Sequence, residues 1–525
     1  MAVGVLRRER RFEDPADLLG DRLTGLYGFL AEHGAVLYPD DYFADLYAAS
    51  RRGRPTVPAR VVATVMILQS FEGLSDQEAV DRLGRDLAWQ AAAGVHLGYT
   101  PFHPTVLVGM RNRLRASMRP RRLFEDSRAV AVQTGALGRR ARALDSTPLY
   151  DAVATQDTVT QLRAAIRKLL AVLDRLDPDQ AGRVRTVLGR DDDYATSGKP
   201  PCDYDDVAAK DQLVDALVKD ARAALAAVDG HEICEGATAA VELLAVVAGQ
   251  DVECADDGSF RIARNVATDR VISTVDPQAR HGHKSRNRRF DGYKAHVAID
   301  PDSELIDEVV VTPANTPDSR PVTDLLAPVA DADVKPEVLG DCAYATADTL
   351  ADLTGAGYVV RAKVPSAANR NGLFSKDDFT IDMTDGPHGT VTCPAGVTAD
   401  IRPAPDGGGR AAFGVDCNDC ALQTSCTTAA AGRQVTIHPH EGLLQQAKAA
   451  QATKEWQQAY NADRPKVERK IAHLMRRMWG ARKARTRGLE RIATDLDSRA
   501  AAVNLARLNV LGARAGPDGW ALNPT

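Results

Sequence analysis

The chain has 525 residues, of which 44% are hydrophobic and 26% charged, with a net charge of −5. That length allows two to four domains of ordinary globular composition, and the balance is not that of a uniformly basic nucleic-acid binder. No apolar run reaches the roughly eighteen residues of a membrane helix, and the N-terminus MAVGVLRRERRFEDP lacks the apolar core of a secretory signal, so a cytoplasmic protein is expected.

Residues 1–135 read as helical. PARVVATVMILQSF (58–71) is a compact apolar helix stopped by Gly73, and Ser75 with Glu78 three residues on forms a capping box for a second helix running to about Ala93. Two short helices around a tight turn resemble a helix-turn-helix; the alternative is a small bundle with no DNA role. A third helix starts near Pro104, with Leu107, Met110 and Leu114 as its buried stripe. Arg111, Arg113, Arg115, Arg119, Arg121 and Arg122 crowd residues 111–122, the first of three basic clusters that together point to phosphate binding, with a solvated charged face as the alternative.

ARALDSTPLY (141–150) reads as a strand containing Asp145. A helical stretch from roughly 156 to 250 follows, with Leu162, Ile166, Leu169 and Leu173 as one stripe. Strands dominate from about 256. Residues 280–294 carry Arg280, Lys284, Arg286, Arg288, Arg289 and Lys294 against Asp291 alone, a second basic cluster. Tyr293, Ala295, Val297 and Ile299 alternate with Lys294, His296 and Ala298 as in a half-buried strand. A turn at Asp300–Ser303 makes a hairpin with 305–312. A helix at 321–330, a strand at 336–341, a helix at 347–356 and a strand at 358–364 complete a mixed sheet flanked by helices. Asp341 falls at the carboxyl end of its strand, where α/β sheets bind ligands, and Gly340 before it permits a close approach. Residues 366–440 look like a Gly-, Pro- and Cys-rich insertion, and helix returns over 464–515, where residues 464–491 hold eleven Lys and Arg against two Glu.

On that last helix Val467, Ile471, Leu474 and Met478 form the apolar stripe. Glu468 falls about 100° from Val467 and Arg464 about 60°, on the shoulder of the buried face. Asp463 is positioned to cap the helix ahead of Pro465. Asp145, Asp341 and Glu468 thus come from three elements. Three carboxylates suit two Mg²⁺ ions about 4 Å apart, which stabilise attacking and leaving oxygens in phosphodiester chemistry.

Cys393, Cys417, Cys420 and Cys426 form C-x23-C-x2-C-x5-C. The C-x2-C spacing suits a structural zinc, with reduced unliganded thiols as the alternative. His281, His283 and His296 are expected to be solvated or phosphate-contacting, Asp291 a turn or salt-bridge residue, Asp276 non-catalytic, and Cys342 a small buried neighbour of Asp341.

The ordered fragments resemble the DDE transposases of bacterial insertion sequences, in the branch whose last motif is Tyr-Arg-Glu. GRPTVPARVVATVMILQSFEGLSDQEAVDRLGRDLAWQAAAG (53–94) is similar to that family's N-terminal domain, and LDST (144–147) to its first catalytic strand. FDGYKAHVAID (290–300), VTPANTPDS (311–319) and GDCAYAT (340–346) are similar to its central block. RPKVERKIAHL (464–474), ARTRGLERI (484–492) and NLARL (504–508) are similar to its C-terminal block. The resemblance implies an RNase H-like fold in which Asp145, Asp341 and Glu468 bind Mg²⁺ or Mn²⁺ and carry catalysis, while Arg464 contacts DNA phosphate. Tyr460 lies four residues before Arg464 rather than the usual three. Met475 stands where a basic residue is often found, leaving Arg476 as its substitute.

The expected domains are 1–135, a helical DNA-binding domain; 136–155, 256–365 and 441–515, the catalytic domain; 156–255, a helical insertion; and 366–440, the Cys-rich insertion. The expected activity is metal-dependent cleavage and strand transfer at the ends of an insertion sequence. The alternatives are an inactive DNA-binding remnant or an RNase H-like nuclease. Double-stranded DNA is the expected partner, contacted by Arg464, Arg476, Lys294, Arg288, Arg289 and Arg111, with a homodimer in the DNA complex and no membrane.

Overall fold

The structure, a computed structural model, describes residues 14–47, 56–230, 234, 236–285, 287–367, 371–383, 388–476 and 482–523. Arg286 and Met478, counted above in a basic cluster and an apolar stripe, lie outside them.

The central element is a six-stranded mixed sheet. Its strands are β1 (Ala141–Tyr150), β2 (Arg280–Ser285), β3 (Arg288–Ile299), β4 (Ile306–Pro313), β5 (Glu337–Gly340) and β6 (Val360–Ala362). β3 pairs antiparallel with β1 on one side and with β2 and β4 on the other; β1, β5 and β6 run parallel. Asp145 sits opposite Val297 in the β1–β3 register.

Both faces of the sheet are covered. Leu144 and Ala298 pack with Val322, Leu325 and Leu326 of α11 (Val322–Leu326) and with Leu353 of α12 (Ala347–Gly355). The opposite face, with Ala141, Ala143 and Leu149, meets Val467, Ile471 and Leu474 of α14 (Lys454–Leu474) and the long α15 (Leu489–Val510). The alternation in β3 therefore does not mark a half-buried strand: Tyr293 and Ala295 through Ile299 are all buried. A sheet sandwiched between helices buries its even positions too, provided their polar atoms find partners.

The N-terminal helices are α1 (Gly25–Leu37), α2 (Ala59–Glu72), α3 (Asp76–Arg85), α4 (Leu87–Ala93), α5 (Thr105–Ala116) and α6 (Arg122–Gln133). Gly73, at φ 70°, ends α2, and the Ser75–Glu78 capping box opens α3 as expected. The second expected helix is in fact two, because Asp86 leaves the helix and caps α4 through the backbone N–H groups of Ala88 and Trp89. The stripe Leu107, Met110 and Leu114 is buried in α5. These helices do not form a separate core. α15 packs against α1, α2, α6 and β4, so bundle and sheet share one hydrophobic interior.

Two additions stand apart from it. α7 (Thr158–Leu176), α8 (Pro178–Val187), α9 (Val207–Val228) and α10 (Thr238–Gly249) enclose a second core that contains the whole stripe Leu162, Ile166, Leu169 and Leu173. The Cys-rich stretch is a five-stranded antiparallel sheet, β7 (Thr380–Asp382), β8 (Thr390–Thr392), β9 (Thr398–Pro403), β10 (Gly409–Ala412) and β11 (Gln434–Ile437), with its own small core. α13 (Glu441–Gln451) leads back to α14. The helix expected over 464–515 is thus two helices, and it gives way at Ala513–Leu522 to a terminal hairpin.

Candidate active site

Asp145, Asp341 and Glu468 line one cleft of about 510 Å³, together with Ser146, Lys294, Asp318, Arg464 and Arg482. Each acid arrives differently. Asp145 lies mid-strand in β1, and its Oδ1 accepts the N–H of Ser146 at 2.8 Å. Asp341 follows β5 directly and caps a single 3-10 turn, accepting the N–H of Ala343 at 2.9 Å. A Cβ at Gly340 would come within 2.7 Å of Tyr344 Cβ, so the glycine makes room for the tyrosine that floors this turn rather than for a ligand. The Tyr344 hydroxyl is buried without a partner.

Glu468 comes from α14. That helix begins at Thr453, whose side chain caps it, and runs unbroken through Pro465. Asp463 is therefore not its cap: it lies within the helix, buried, paired with Arg140 at 2.9 Å and Lys466 at 3.0 Å. Tyr460 shares the helix, which starts well before the position expected from Asp463 and Pro465. Tyr460, Arg464 and Glu468 are spaced by four, so they occupy one ridge. The four-residue spacing keeps the tyrosine on the same face as the arginine, and Asp341 and Asp145 help raise its hydroxyl pKa beyond what burial does.

Arg464 is the centre of the site. Its Nη1 donates to the Leu144 carbonyl at 2.8 Å. Its Nη2 lies 2.9 Å from Asp145 Oδ1 and 3.9 Å from Asp341 Oδ2, and its Nε 3.8 Å from Glu468 Oε1. One guanidinium therefore reaches all three carboxylates. Burial raises the Asp145 pKa, and the like charge of Asp341 adds to this; Arg464 opposes both. Burial works against the Arg464 charge, but Asp145 and Asp341 hold its pKa above the usual value. Glu468 is the most solvent-open of the trio, at 63% side-chain exposure against 13% for Asp145.

A second ionic pair lines the cleft. Lys294 Nζ lies 2.7 Å from Asp318 Oδ1, and Ser146 Oγ donates to Asp318 Oδ2 at 2.7 Å. Asp318 carried no assigned role in the sequence reading; its one signal was its place in VTPANTPDS, where a Pro-Asp pair looks like turn chemistry. Arg482, also missed, donates to Thr147 Oγ1 at 2.6 Å. His283 and Lys284 of β2 overlook the cleft, while Arg288 and Arg289 are exposed on the adjoining strand.

Other expected residues fall elsewhere. Arg476 lies over the Phe71 ring, 5.4 Å from its centroid, on the bundle side. Arg111 is paired with Asp76 at 2.5 Å. His296 is not solvated: it is buried, its Nε2 2.9 Å from Thr312 Oγ1, and burial pushes its pKa down. Cys342 is exposed rather than buried. His281 and Asp291 pair at 2.6 Å, and Asp276 is buried, accepting from the Tyr293 hydroxyl at 2.6 Å. The arginine cluster 111–122 is largely structural. Arg122 pairs with Asp45, Arg119 with Glu125 and Asp126, and Arg121 with Glu308 and Asp497.

Cys393, Cys417, Cys420 and Cys426 line one small apolar pocket, with Cys417 and Cys426 buried. Burial raises the Cys426 thiol pKa, and the other three sulfurs add to this. Among the described residues no three His, Cys, Asp or Glu side chains converge as a ligand set for a metal ion. At the three acids a positive group already stands between the carboxylates. Asp145 and Asp341 each have an oxygen against the same nitrogen, so these oxygens are no more than about 6.8 Å apart.

Two family models match parts of the chain. A model described as a transposase DDE domain matches residues 392–509, and one described as a transposase domain (DUF772) matches residues 24–113. The first match includes Arg464 and Glu468; Asp145 and Asp341 lie outside both. No curated protein and no solved structure matches the chain. The resemblance to DDE transposases of insertion sequences holds, and no helix among the described residues is long and apolar enough to cross a membrane.

Proposed function

We propose that the protein is a transposase that binds the ends of an insertion sequence and cuts and joins DNA at Asp145, Asp341 and Glu468. The observation that carries this reading is the convergence of the three acids on Arg464 from two strands and a helix far apart in sequence. The strand order supports an RNase H-like sheet: three antiparallel strands, β4, β3 and β1, continue into two parallel ones, β5 and β6.

The donor chemistry fits hard divalent cations: carboxylate oxygens only, in an open cleft, with two of them within a span that an ion pair about 4 Å apart can bridge. When bound, Mg²⁺ or Mn²⁺ supplies charge stabilisation of the attacking and leaving oxygens. Asp145, Asp341 and Glu468 would hold it. The chain's own groups do the rest. Lys294, Arg482, Lys284 and His283 offer donors to a scissile phosphate entering the cleft. Arg464 balances the buried charge of Asp145 and, once the carboxylates have other partners, is free to meet the phosphate. Water attack on the phosphodiester breaks its P–O3′ bond and leaves a 3′-OH and a 5′-phosphate; attack of that hydroxyl on a target phosphate forms the new phosphodiester and expels the target strand's own 3′-OH. Because two ends must meet, a homodimer on DNA is part of this reading.

The test uses purified protein, Mg²⁺ and DNA carrying the element's own ends. Wild type should nick the ends and form joined products, and Asp341→Ala should lower the rate by about 100- to 1,000-fold, the scale of losing a charge-stabilising group from a catalytic centre. Equal cleavage by Asp341→Ala would overturn the assignment.

A further inference from the structure

A second cleft of about 510 Å³ lies where the two matched regions meet. Bundle residues Gln69, Ser75, Asp76, Arg111 and Arg115 line one side, and Arg485, Thr486, Arg491 and Asp495 the other. Its four arginines are unequally neutralised. Arg111 is held by Asp76, and Asp495 is taken by Arg499 of α15. Among the described residues, Arg115, Arg485 and Arg491 have no carboxylate within ion-pair distance. Arg115 donates to the Asn112 side chain and Arg485 to the Leu74 carbonyl, both neutral acceptors. Partial burial lowers the Arg115 pKa, and the nearby Arg491 and Arg111 add to this against the opposing charge of Glu490. The Thr486 hydroxyl is buried at this cleft without a partner. Such crowding costs free energy in the free protein and is offset when an anion enters.

The two clefts are joined by one short strap. Tyr150, the last residue of β1, donates its N–H to the Arg482 carbonyl at 2.7 Å and accepts the N–H of Ala484 at 2.7 Å, a parallel bridge to Lys483. Arg482 faces the acid cleft through Thr147, and Arg485, three residues on, faces the second cleft. Three extended residues span at most about 11 Å. That is about three nucleotide steps along one DNA strand, at about 3.4 Å each.

We propose that this arginine cleft between bundle and α15 is a second DNA site, clamping backbone phosphates of the duplex a few nucleotides from the strand held at the acids. The proposal rests on the transposase reading and adds to it the route of the flanking DNA. A duplex lying across both clefts touches both matched regions at once. Phosphate contacts fix register and grip without reading sequence, which suits a site built from guanidiniums and a hydroxyl rather than a groove-sized helix face.

The experiment measures binding of a random-sequence 40-bp duplex by the full-length protein across a salt series. Removing one Arg–phosphate pairing should reduce the slope of log affinity against log salt by about 0.9. Arg491→Gln, which removes a side chain with no ion pair among the described residues, should lower the slope by about one. The triple variant Arg115→Gln, Arg485→Gln, Arg491→Gln should lower it by about three, with unchanged far-UV CD. Wild-type slopes in both variants, while wild type still cleaves its own ends, would overturn the clamp and leave the transposase reading standing. No duplex binding and no end cleavage by wild type would overturn both. Competition by inorganic phosphate equal to that by chloride at matched ionic strength supports a backbone clamp; selective displacement by inorganic phosphate would instead mark a small-anion site and overturn it.

Discussion

Arg464 shows how much a single side chain decides here. It is 12% exposed, and Asp145 beside it 13%, so both charges have given up most of their water. A buried pair of this kind adds little net stability, but removing one partner leaves an uncompensated charge. Arg464→Gln should therefore destabilise the protein by about 3 kcal/mol, while Asp145→Asn in the same chain should recover much of that loss. Urea unfolding of wild type, Arg464→Gln and the double variant checks this. A shift for Arg464→Gln within about 0.5 kcal/mol of wild type, as for surface substitutions, would show that the guanidinium does not neutralise Asp145. The acids themselves were legible in the sequence through the blocks around them. That Arg464 would sit among them was not, because the helical wheel places it on a shoulder without saying what faces that shoulder. Asp318 was equally hidden: its partner Lys294 is 24 residues away in sequence and meets it only across the hairpin.

At the scale of elements, periodicity located strands and helices wherever one neighbour decided their burial. β1, β4 and α12 fall close to their expected bounds, and the stripe of α7 is wholly buried. Expectation failed where context overrode a local signal. Pro465 and Asp463 together look like a helix start, yet α14 passes through both because its N-cap is Thr453 and its apolar face is already seated against the sheet. The proline nevertheless removes the N–H that would serve the Asn461 carbonyl. Pro465→Ala should restore that bond and raise stability by about 1–3 kcal/mol, read as a higher urea midpoint at unchanged slope. A destabilised variant would show that the ridge of Tyr460, Arg464 and Glu468 needs the proline's fixed backbone. The Cys-rich sheet was illegible for another reason. Its strands are three to six residues long, too short for a period of two to stand out among Gly, Pro and Cys.

For the whole molecule, the question is what couples the helical bundle to the acids. α15 answers it, since it packs on the bundle and the sheet together, and a three-way charge cluster marks the junction. Arg121, just before α6, pairs at once with Glu308 of β4 and Asp497 of α15. Burial pushes the Asp497 carboxyl up to about 6, with Arg121 opposing and Glu308 adding to the rise. The linkage follows from that direction. Asp497 takes up its proton more readily folded than unfolded, where carboxyls titrate near 3.9, so its contribution is fully present below about pH 4 and is lost as pH rises towards 6. Two pKa units correspond to about 3 kcal/mol. Other paired carboxylates, such as Asp302 held down by Arg140, titrate in the opposite sense, so the effect is isolated as a difference between chains. Asp497→Asn should gain on wild type by about 3 kcal/mol between pH 4 and 6.5, measured by urea unfolding at fixed ionic strength. Because bundle and sheet share this core, fluorescence from Trp89 in the bundle and far-UV CD should report one coincident transition across that core, with the junction's pH dependence in both. Separate midpoints, with only one moving with pH, would mean that the bundle folds independently of the sheet that carries the acids, and that α15 does not couple the two.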